Sequence, residues 1–274
     1  ALRRMGFDKV FDTDFTADLT IIEEGHELIE RLKNGGKLPM MTSCSPGWIK
    51  FIEHYYPELL GHLSTCKSPQ QMFGALAKTY YAEKEGIDPA DVVVVSVMPC
   101  TAKKFEAGRP EMTDSGYPDV DVVLTTRELG RMLREAGINL QNLEPEEFDA
   151  PLGISTGAGA IFGATGGVCE AALRTVYEVV TGKELPSLDF VECRGLKGIK
   201  EVVVDLAGTK VKVAIAHGLS NARKLMDLVK EGKADYQFIE IMCCPGGCIG
   251  GGGQPIPTTM ETRAKRIEAI YLED

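Results

Sequence analysis

The β-branched run that ends at Cys100 constrains the fold of this chain more than any other feature. Residues 92–98, VVVVSVM, form a continuous apolar segment, which is typical of a parallel strand buried on both faces. A second apolar run, residues 236–242, ends just before Cys244. Because open α/β sheets bind their ligands at the carboxyl ends of parallel strands, both cysteines are predicted to lie at a binding site. The sequence therefore predicts an α/β fold with thiols at its strand ends.

Further strand and helix signals alternate along the chain. Residues 119–124 and 210–216 are predicted strands, and each leads into a predicted helix. With 274 residues, the chain is long enough to bury a sizeable core and to divide into two lobes. The acidic, proline-bearing segment 142–151 is the candidate boundary, which gives approximate lobes of residues 1–145 and 146–274.

Composition and charge argue against several classes of protein. A formal net charge of −10 argues against nucleic acid as a partner. No run of about 18 apolar residues is present, so we expect no membrane span. Eight cysteines in a chain of this length do not fit a secreted disulfide scaffold. So many free thiols fit a reduced, low-oxygen compartment, and we expect a cytoplasmic protein of anaerobic metabolism.

The first residues, ALRRMG, lack the apolar stretch and the cleavage site of a signal peptide. They are typical of the last turn of a helix that ends at Gly6. We therefore expect the chain to be part of a longer protein with further domains upstream.

The eight cysteines divide into two groups. Four of those in the short motifs TSCSPGW, MPCTAKK and EIMCCPGGCIGGGGQP are candidate ligands, because thiolates suit a soft centre such as an iron–sulfur cluster: Cys44, Cys100, Cys244 and Cys248. The others are predicted to be small buried hydrophobic residues: Cys66, Cys169, Cys193 and Cys243. In the first motif, Ser45 is a predicted N-cap and Pro46 the first residue of a helix. The dipole of that helix is expected to favour the thiolate of Cys44.

Two features leave alternatives open. Lys103 and Lys104 form a solvated basic turn by default, but one of them could turn inward and donate hydrogen bonds to an anionic ligand. The glycine- and alanine-rich residues 155–167 could cradle a phosphate at the start of a helix. That segment follows no obvious strand and lacks the Lys-Ser/Thr ending of a P-loop, which favours close backbone packing instead.

Residues 19–29 are predicted to form an amphipathic helix. Ile22 and Ile29 mark its apolar side, where His26 is expected as a core histidine. Glu24 and Glu27 fall on the other side, and a solvated face is the common meaning of such a pair. If they were drawn into the protein, these carboxylates could instead relay protons.

Taken in order, the three cysteine motifs resemble the signature of the di-iron (FeFe) hydrogenase catalytic domain. That pattern runs Thr-Ser-Cys-Cys-Pro-x-Trp, Met-Pro-Cys-x-x-Lys and Glu-x-Met-x-Cys-x-x-x-Cys-x-x-Gly-Gly-Gly-x-Pro. The likeness continues through the connecting segments 67–71, 125–129 and 159–167 and covers nearly the whole chain. The resemblance implies an α/β fold with two lobes of mainly parallel sheet flanked by helices, and an active site in the cleft between them.

The resemblance also implies a cofactor, the H-cluster. It joins a 4Fe-4S cubane, through one cysteine sulfur, to a di-iron unit that carries carbon monoxide, cyanide and a bridging azadithiolate. Cys100, Cys244 and Cys248 would hold the cubane, with Cys248 as the bridge, and Lys103 would bind a cyanide. The other residues expected around the cofactor are Ser43, Gln70, Met98, Pro99, Phe162 and Met242.

The activity implied by the resemblance is the reversible oxidation of H2 to protons and electrons. A relay from Cys44 through Glu27, Ser64 and Glu24 would carry the protons to solvent. The electrons would pass through the cubane to ferredoxin or to an upstream iron–sulfur domain, and the di-iron unit would depend on maturation proteins. The alternatives with the same fold are a non-catalytic iron–sulfur assembly scaffold and an H2 sensor.

The chain departs from the family pattern at Ser45, where the pattern has the cubane-binding cysteine that touches proline. Three interpretations follow. Cys44 could ligate the cubane after a local shift. Ser45 could ligate through its oxygen, which is a harder and poorer donor for iron–sulfur. Alternatively, the chain is a natural or engineered variant with a weakened cluster.

Overall fold

Helices and strands alternate along most of the chain, as predicted. The structure, a computed structural model, describes residues 1–183, 185, 187–206 and 208–274. Its helices are α1 (Asp14–Asn34), α2 (Pro46–Tyr55), α3 (Pro69–Leu76), α4 (Ala82–Glu85), α5 (Ala102–Ala107), α6 (Thr126–Glu135), α7 (Gly157–Ile161), α8 (Gly167–Thr181), α9 (Leu219–Lys230) and α10 (Met260–Glu273). Its strands are β1 (Met40–Met41), β2 (Val95–Met98), β3 (Val122–Thr125), β4 (Ile199–Leu206), β5 (Thr209–His217) and β6 (Phe238–Met242). The fold is a mixed α/β arrangement of sheets flanked by helices.

The larger sheet runs in the order β1-β6-β5-β4. β1 and β5 pair with β6 in parallel, with Met40 opposite Phe238 and Ala216 opposite Ile241, while β4 and β5 pair antiparallel. α1 and α8 cover one face of this sheet, and α2 and α9 cover the other. β6 is buried along its whole length because it has helices on both faces and a strand on each edge. The prediction of a buried strand ahead of Cys244 is confirmed.

The smaller sheet consists of β2 and β3, which pair in parallel with Met98 opposite Thr125. The prediction that residues 92–98 are buried on both faces is wrong, because β2 is only half-buried and Val93 is 69% exposed. A cavity of about 720 Å³ opens along residues 92–98, so helices do not close over this strand as they do over β6. Cys100 nevertheless stands beyond the carboxyl end of a parallel strand, as expected.

The strand predicted at residues 119–124 begins only at Val122. The carboxylate of Asp121 accepts a hydrogen bond from the backbone N–H of Val94 over 2.7 Å, so a side chain makes the contact that a strand's backbone would otherwise make. The strand predicted at residues 210–216 lies within β5, as expected.

β1 and β4 were not predicted from the sequence. β1 is only two residues long, which leaves no periodic pattern to detect. β4 does carry a period-two signal, because buried Val202 and Val204 alternate with exposed Glu201, Val203 and Asp205.

α1 presents a different face to the core from the one predicted. Glu24 is only 1% exposed, whereas Ile22 is 45% exposed and His26 lies at the surface. α1 packs against α3, α7 and α8, and Gly25 allows a close approach to Val176 of α8. Because three helices surround α1, its buried stripe is wider than one amphipathic face. The predictions of a solvated Glu24 and of a core histidine at position 26 are therefore wrong.

The glycine- and alanine-rich segment packs closely, as the sequence favoured. A Cβ on Gly166, whose φ is +97°, would lie 1.8 Å from the carbonyl oxygen of Cys193. The N–H groups of Gly166 and Cys169 donate to the buried carboxylate of Glu240 over 2.6 and 2.8 Å. These N–H groups at the start of α8 are thus occupied by a carboxylate from β6 and are not available to bind a phosphate.

The division into lobes 1–145 and 146–274 stays a prediction. β1 lies before that boundary and β6 after it, yet the two strands pair directly. In the part of the chain that the structure describes, no helix has the length and apolarity needed to cross a membrane.

Candidate active site

The first and third cysteine motifs meet at the end of the larger sheet. β1 leads to Cys44 and β6 leads to Cys243, and these two strands are parallel neighbours. The hydroxyl oxygen of Thr42 accepts a hydrogen bond from the N–H of Ile241 over 3.0 Å, just before both segments leave the sheet. Side chains that are about two hundred positions apart in sequence therefore emerge at one place.

The glycine run after Cys248 allows the third motif to reach the second. The N–H of Gly253 donates to the carbonyl oxygen of Pro99 over 2.9 Å. A Cβ on Gly251 would lie 2.1 Å from that oxygen, and a Cβ on Gly253 would lie 3.0 Å from the backbone nitrogen of Cys100. Any larger residue at these positions would push the two motifs apart.

The thiols of Cys100, Cys244 and Cys248 are half-buried and influence one another. Burial and then the neighbouring Cys100 raise the pKa of Cys248 to about 12. Interaction with the thiol of Cys243 lowers the pKa of Cys244 to about 6, and the N–H of Gly252 adds to this effect. A group of close thiols, one of which readily becomes a thiolate, is the donor set that an iron–sulfur centre requires.

This arrangement fits a cluster of several irons better than a single metal ion. Among the residues described, no three His, Cys, Asp or Glu side chains converge closely enough to hold one ion. Each iron of a 4Fe-4S cubane takes one thiolate, so the ligands of a cubane stand further apart than those of one ion. Cys100 on one segment, with Cys244 and Cys248 on another, offers three thiolates for three separate irons.

Cys44 is buried, and its thiol is held in the neutral form. Burial raises the pKa of this thiol well above its ordinary value, and the nearby carboxyl of Glu24 adds to the shift. The prediction that the helix dipole favours its thiolate is wrong, because desolvation outweighs the dipole. The Cys44 side chain belongs to the same apolar cluster as Ile21, Phe162 and Met242.

Lys103 turns inward and Lys104 turns outward, which resolves the two readings of the basic turn. The Nζ of Lys103 donates to the carboxylate of Glu106 over 2.9 Å and to the carbonyl oxygen of Cys44 over 3.1 Å. Lys104 pairs with Glu128 at the surface. Glu106 is a site residue that the sequence analysis missed, although its position three residues after Lys103 on α5 was a signal.

The other residues expected around the cofactor lie near this group. Gln70 is buried, and its amide donates to the carbonyl oxygen of Lys103 over 3.2 Å. The hydroxyl of Ser43 donates to the carbonyl oxygen of Cys66 over 2.6 Å. The remaining ones lie at the end of β2 or in the apolar cluster of Cys44: Met98, Pro99, Phe162 and Met242.

Polar groups lead from Cys44 towards the surface. Both carboxyl oxygens of Glu24 are enclosed and have no hydrogen-bond partner within the described part of the chain, and burial raises the pKa of Glu24 to about 7. The hydroxyl of Ser64 donates to the carboxylate of Glu27 over 2.9 Å, and Arg31 pairs with the same carboxylate. Glu24 therefore lies on the side of Cys44 and Glu27 on the side of solvent. The expected relay had Glu27 next to Cys44 and Glu24 at the solvent end, so the order of the two glutamates is reversed. Arg31 is a second residue that the sequence analysis missed.

Ser45 is the N-cap residue of α2 and Pro46 its first residue, as predicted, but the serine side chain does not cap the helix. Its oxygen instead accepts a hydrogen bond from the N–H of Cys243 over 3.2 Å. The prediction of buried hydrophobic cysteines is confirmed for Cys169 and Cys193. It is wrong for Cys66, which lines a surface cavity of about 230 Å³, and for half-buried Cys243, which stands at a strand end.

Comparison with known proteins gives a consistent result. The family model described as "Iron only hydrogenase large subunit, C-terminal domain" matches residues 1–252. The NADP-reducing hydrogenase subunit HndD of Solidesulfovibrio fructosivorans is 54% identical over 100% of this chain and 48% of its own length. The periplasmic [Fe] hydrogenase large subunit of Nitratidesulfovibrio vulgaris is 54% identical over 99% of this chain and 65% of its own length. The chain thus spans between about half and two thirds of these relatives.

A more distant relative and a solved structure complete the comparison. The cytosolic Fe-S cluster assembly factor narfl of Xenopus tropicalis is 34% identical over 92% of this chain and 55% of its own length. An apo variant of the [FeFe]-hydrogenase HydA1 from Chlamydomonas reinhardtii superposes with a TM-score of 0.85 at 47% identity. That match covers 98% of this chain and 75% of the solved one.

Proposed function

The chain belongs to the iron-only hydrogenase large-subunit family, and from this premise we propose that it catalyses the reversible oxidation of H2 to protons and electrons. One observation carries the proposal: the half-buried thiols of Cys100, Cys244 and Cys248 lie near the start of an enclosed polar path at Cys44. A cluster-binding site with a route for protons suits a reaction that releases both protons and electrons. Since the chain spans only part of its relatives, the activity of the whole protein belongs to the proposal.

The implied cofactor is the H-cluster, and the residues present fit it at three positions. When bound, this cubane and di-iron unit with carbon monoxide, cyanide and a bridging azadithiolate would supply the centre for heterolytic cleavage of H2. Cys100, Cys244 and Cys248 would hold the cubane, with Cys248 as the bridge. Lys103 would donate to a cyanide, and Glu106 would hold its ammonium group in position.

The protein's own side chains would move the proton. The neutral thiol of Cys44 is the first group of the path, and the carboxyl of Glu24 lies close enough to affect its pKa. A carboxyl whose pKa is about 7 can both accept and release a proton near neutral pH. Ser64 then bridges towards Glu27, from which the proton would reach solvent. The apolar cluster around Cys44 would keep bulk water from bypassing this route.

The proposal extends to the partners of the protein. Electrons would leave through the cubane to ferredoxin or to an upstream iron–sulfur domain, and maturation proteins would deliver the di-iron unit. We also propose a cytoplasmic location, which rests on the eight free cysteines of the sequence.

Infrared spectroscopy on protein produced together with maturation proteins tests this function. We expect sharp bands from metal-bound carbon monoxide and cyanide, together with H2 evolution from a chemical reductant. A matched preparation of the same protein made without maturation proteins should lack those bands. A cubane without such bands in the matured protein would contradict the proposal.

A second candidate is a non-catalytic iron–sulfur assembly scaffold, which the similarity to the assembly factor of Xenopus tropicalis favours. A scaffold has no need of a di-iron pocket or of an enclosed proton path. The inward Lys103 and the enclosed Glu24 therefore support the hydrogenase over the scaffold. The infrared experiment separates the two, because the scaffold would bind a cubane and never show carbonyl bands.

A further inference from the structure

A 4Fe-4S cubane has four irons, but only three thiols of this site have been assigned to hold it. Cys100, Cys244 and Cys248 provide one thiolate each, and a 4Fe-4S cluster held by protein takes four. The candidates for the fourth donor are the side chains at the junction of the first and third motifs: Cys44, Ser45 and Cys243. The question assumes the cubane of the proposed function.

Ser45 is poorly suited to the role. A hydroxyl oxygen is a hard donor, whereas iron–sulfur clusters are bound by soft thiolates. The oxygen of Ser45 is also already engaged, because it accepts the N–H of Cys243 over 3.2 Å.

Cys44 is committed elsewhere. Its side chain packs with Ile21, Phe162 and Met242, on the side of the enclosed Glu24. If Cys44 turned outward to bind an iron, the apolar cluster would open and the proposed proton path would lose its first group.

Cys243 lies beside Ser45 at the start of α2. Its Sγ lies 2.6 Å, and its Cβ 3.1 Å, from the point where a Cβ on Gly47 would stand. The thiol therefore rests against the first turn of α2, two residues after Ser45, in space that exists only because residue 47 is glycine.

Cys243 also belongs to the group of thiols rather than to the core. Its thiol interacts with that of Cys244 and is influenced by Cys100, and its side chain is half-buried. Cys66, Cys169 and Cys193 differ in this respect. Cys169 and Cys193 are fully enclosed in the core below the larger sheet, and Cys66 lies beside Glu27.

We propose that Cys243 supplies the fourth thiolate to the cubane, in place of a cysteine at position 45. In this arrangement Cys100, Cys243, Cys244 and Cys248 each bind one iron, and Ser45 orients Cys243 through its backbone N–H. Each thiol loses its proton to solvent as its sulfur bonds to iron, so loading releases protons without any change of oxidation state in the protein. Cys44 remains free for the proton path.

Anaerobic reconstitution of the apo protein with equal amounts of ferrous and ferric iron and with sulfide, which together match the oxidation state of the assembled cubane, tests this inference without H2 turnover. The readouts are iron and acid-labile sulfide per chain, the visible absorption of the cubane, and the rate of iron loss to a chelator. Cys243→Ala should lower the bound iron and speed its loss at least ~10-fold, since even outer residues of metal sites have effects of that size. The double variant Ser45→Cys with Cys243→Ala should restore loading. It supplies the thiol from position 45, which is in contact with position 243.

Two single variants serve as controls. Cys66→Ala removes a half-buried thiol outside the group and should leave iron content and chelation rate unchanged. Cys44→Ala should also leave both unchanged, because Cys44 is not a ligand in this arrangement.

The outcomes separate this inference from the proposed function. Normal loading of Cys243→Ala, or loss of the cluster in Cys44→Ala, would overturn the assignment of Cys243 while leaving the cubane in place. Loading by Ser45→Cys but not by the unmodified protein would overturn it as well. If none of these proteins binds a cubane, the cofactor of the proposed function fails together with the inference.

Discussion

The hydroxyl of Ser64 donates a hydrogen bond to the carboxylate of Glu27 over 2.9 Å at the outer end of the polar path. Glu27 accepts further hydrogen bonds from Thr65 and Arg31, so its charge is well compensated. Glu24, one turn earlier on α1, has an enclosed carboxyl without such partners among the described residues. Two glutamates three positions apart on one helix thus have opposite electrostatic surroundings.

We expect Glu24→Gln to reduce H2 turnover by about 100-fold or more, because an amide cannot exchange a proton as the carboxyl does. The absorption and infrared spectra of the cofactor should stay as in the unmodified protein. Glu23→Gln, at the exposed neighbouring position, is the matched control and should retain full turnover. Unimpaired turnover in Glu24→Gln would remove Glu24 from the path.

Glu27→Gln should have a smaller effect than Glu24→Gln. Glu27 lies at the outer end, where water and Thr65 can take over part of the transfer. The comparison is a ratio of turnover rates measured at one pH in the same assay. Equal losses in the two variants would show that the path depends on both carboxylates alike.

Glu24 should also make the stability of the protein depend on pH. Its pKa is about 7 in the folded protein against an ordinary value of 4.5, because burial disfavours the charged form. Between these values the folded state binds more protons than the unfolded state, so stability falls as pH rises from about 4.5 to about 7. The loss should approach about 3 kcal/mol, and Glu24→Gln should abolish this part of the slope. Urea unfolding of both proteins at pH 5 and pH 8 measures it, and parallel slopes would contradict it.

Glu106→Gln should destabilise the protein by about 3 kcal/mol or more, because it leaves the buried ammonium of Lys103 without its counter-charge. Ser68 and Gln70 also donate to this carboxylate and would each face a weaker acceptor. The control is Glu128→Gln, which breaks the exposed pair with Lys104 and should cost less than about 1 kcal/mol. Urea midpoints of the three proteins give both differences. Similar midpoints for the two variants would mean that the buried pair contributes no more than the surface one.

Gly47→Ala should reduce cluster loading while leaving the fold intact. The added Cβ would stand 2.6 Å from the Sγ of Cys243, so the thiol has to move away from the start of α2. Alanine is otherwise favourable inside a helix by roughly 0.5–1 kcal/mol, so thermal stability should not fall much. Gly130→Ala on α6 is the matched control, because an added Cβ there meets nothing within 4 Å. Equal iron content in both variants would contradict the predicted displacement.

Much of the site was predictable because chemistry and backbone geometry point to the same residues. Cys100 follows a β-branched run, and Ser45-Pro46 is a strong start for a helix, so both were placed correctly from local sequence. Lys103 needed the structure, since two adjacent lysines look alike until one of them meets Glu106.

The misplaced residues are those for which local preference and tertiary context disagree. Ile22 is exposed and Glu24 buried because α1 is enclosed by three helices, which no periodicity on α1 itself can report. Cys243 looked like an ordinary small residue because its relevant neighbours, Ser45 and Gly47, lie about two hundred positions earlier in sequence. Only the pairing of β1 with β6 brings them together.

The pairing of β1 with β6 also determines when the cysteine site can form during folding. Met40 aligns with Phe238, so the contact that joins the first and third cysteine segments has one of the longest sequence separations in the fold. Contacts of this kind form late in folding, because the entropy cost of closing a long loop comes before the contact can stabilise the chain. A ribosome must therefore have released residues 238–242 before the pocket can close, and iron that arrives earlier meets only separate thiols. A cluster that needs both segments could therefore be inserted only after β6 has paired with β1.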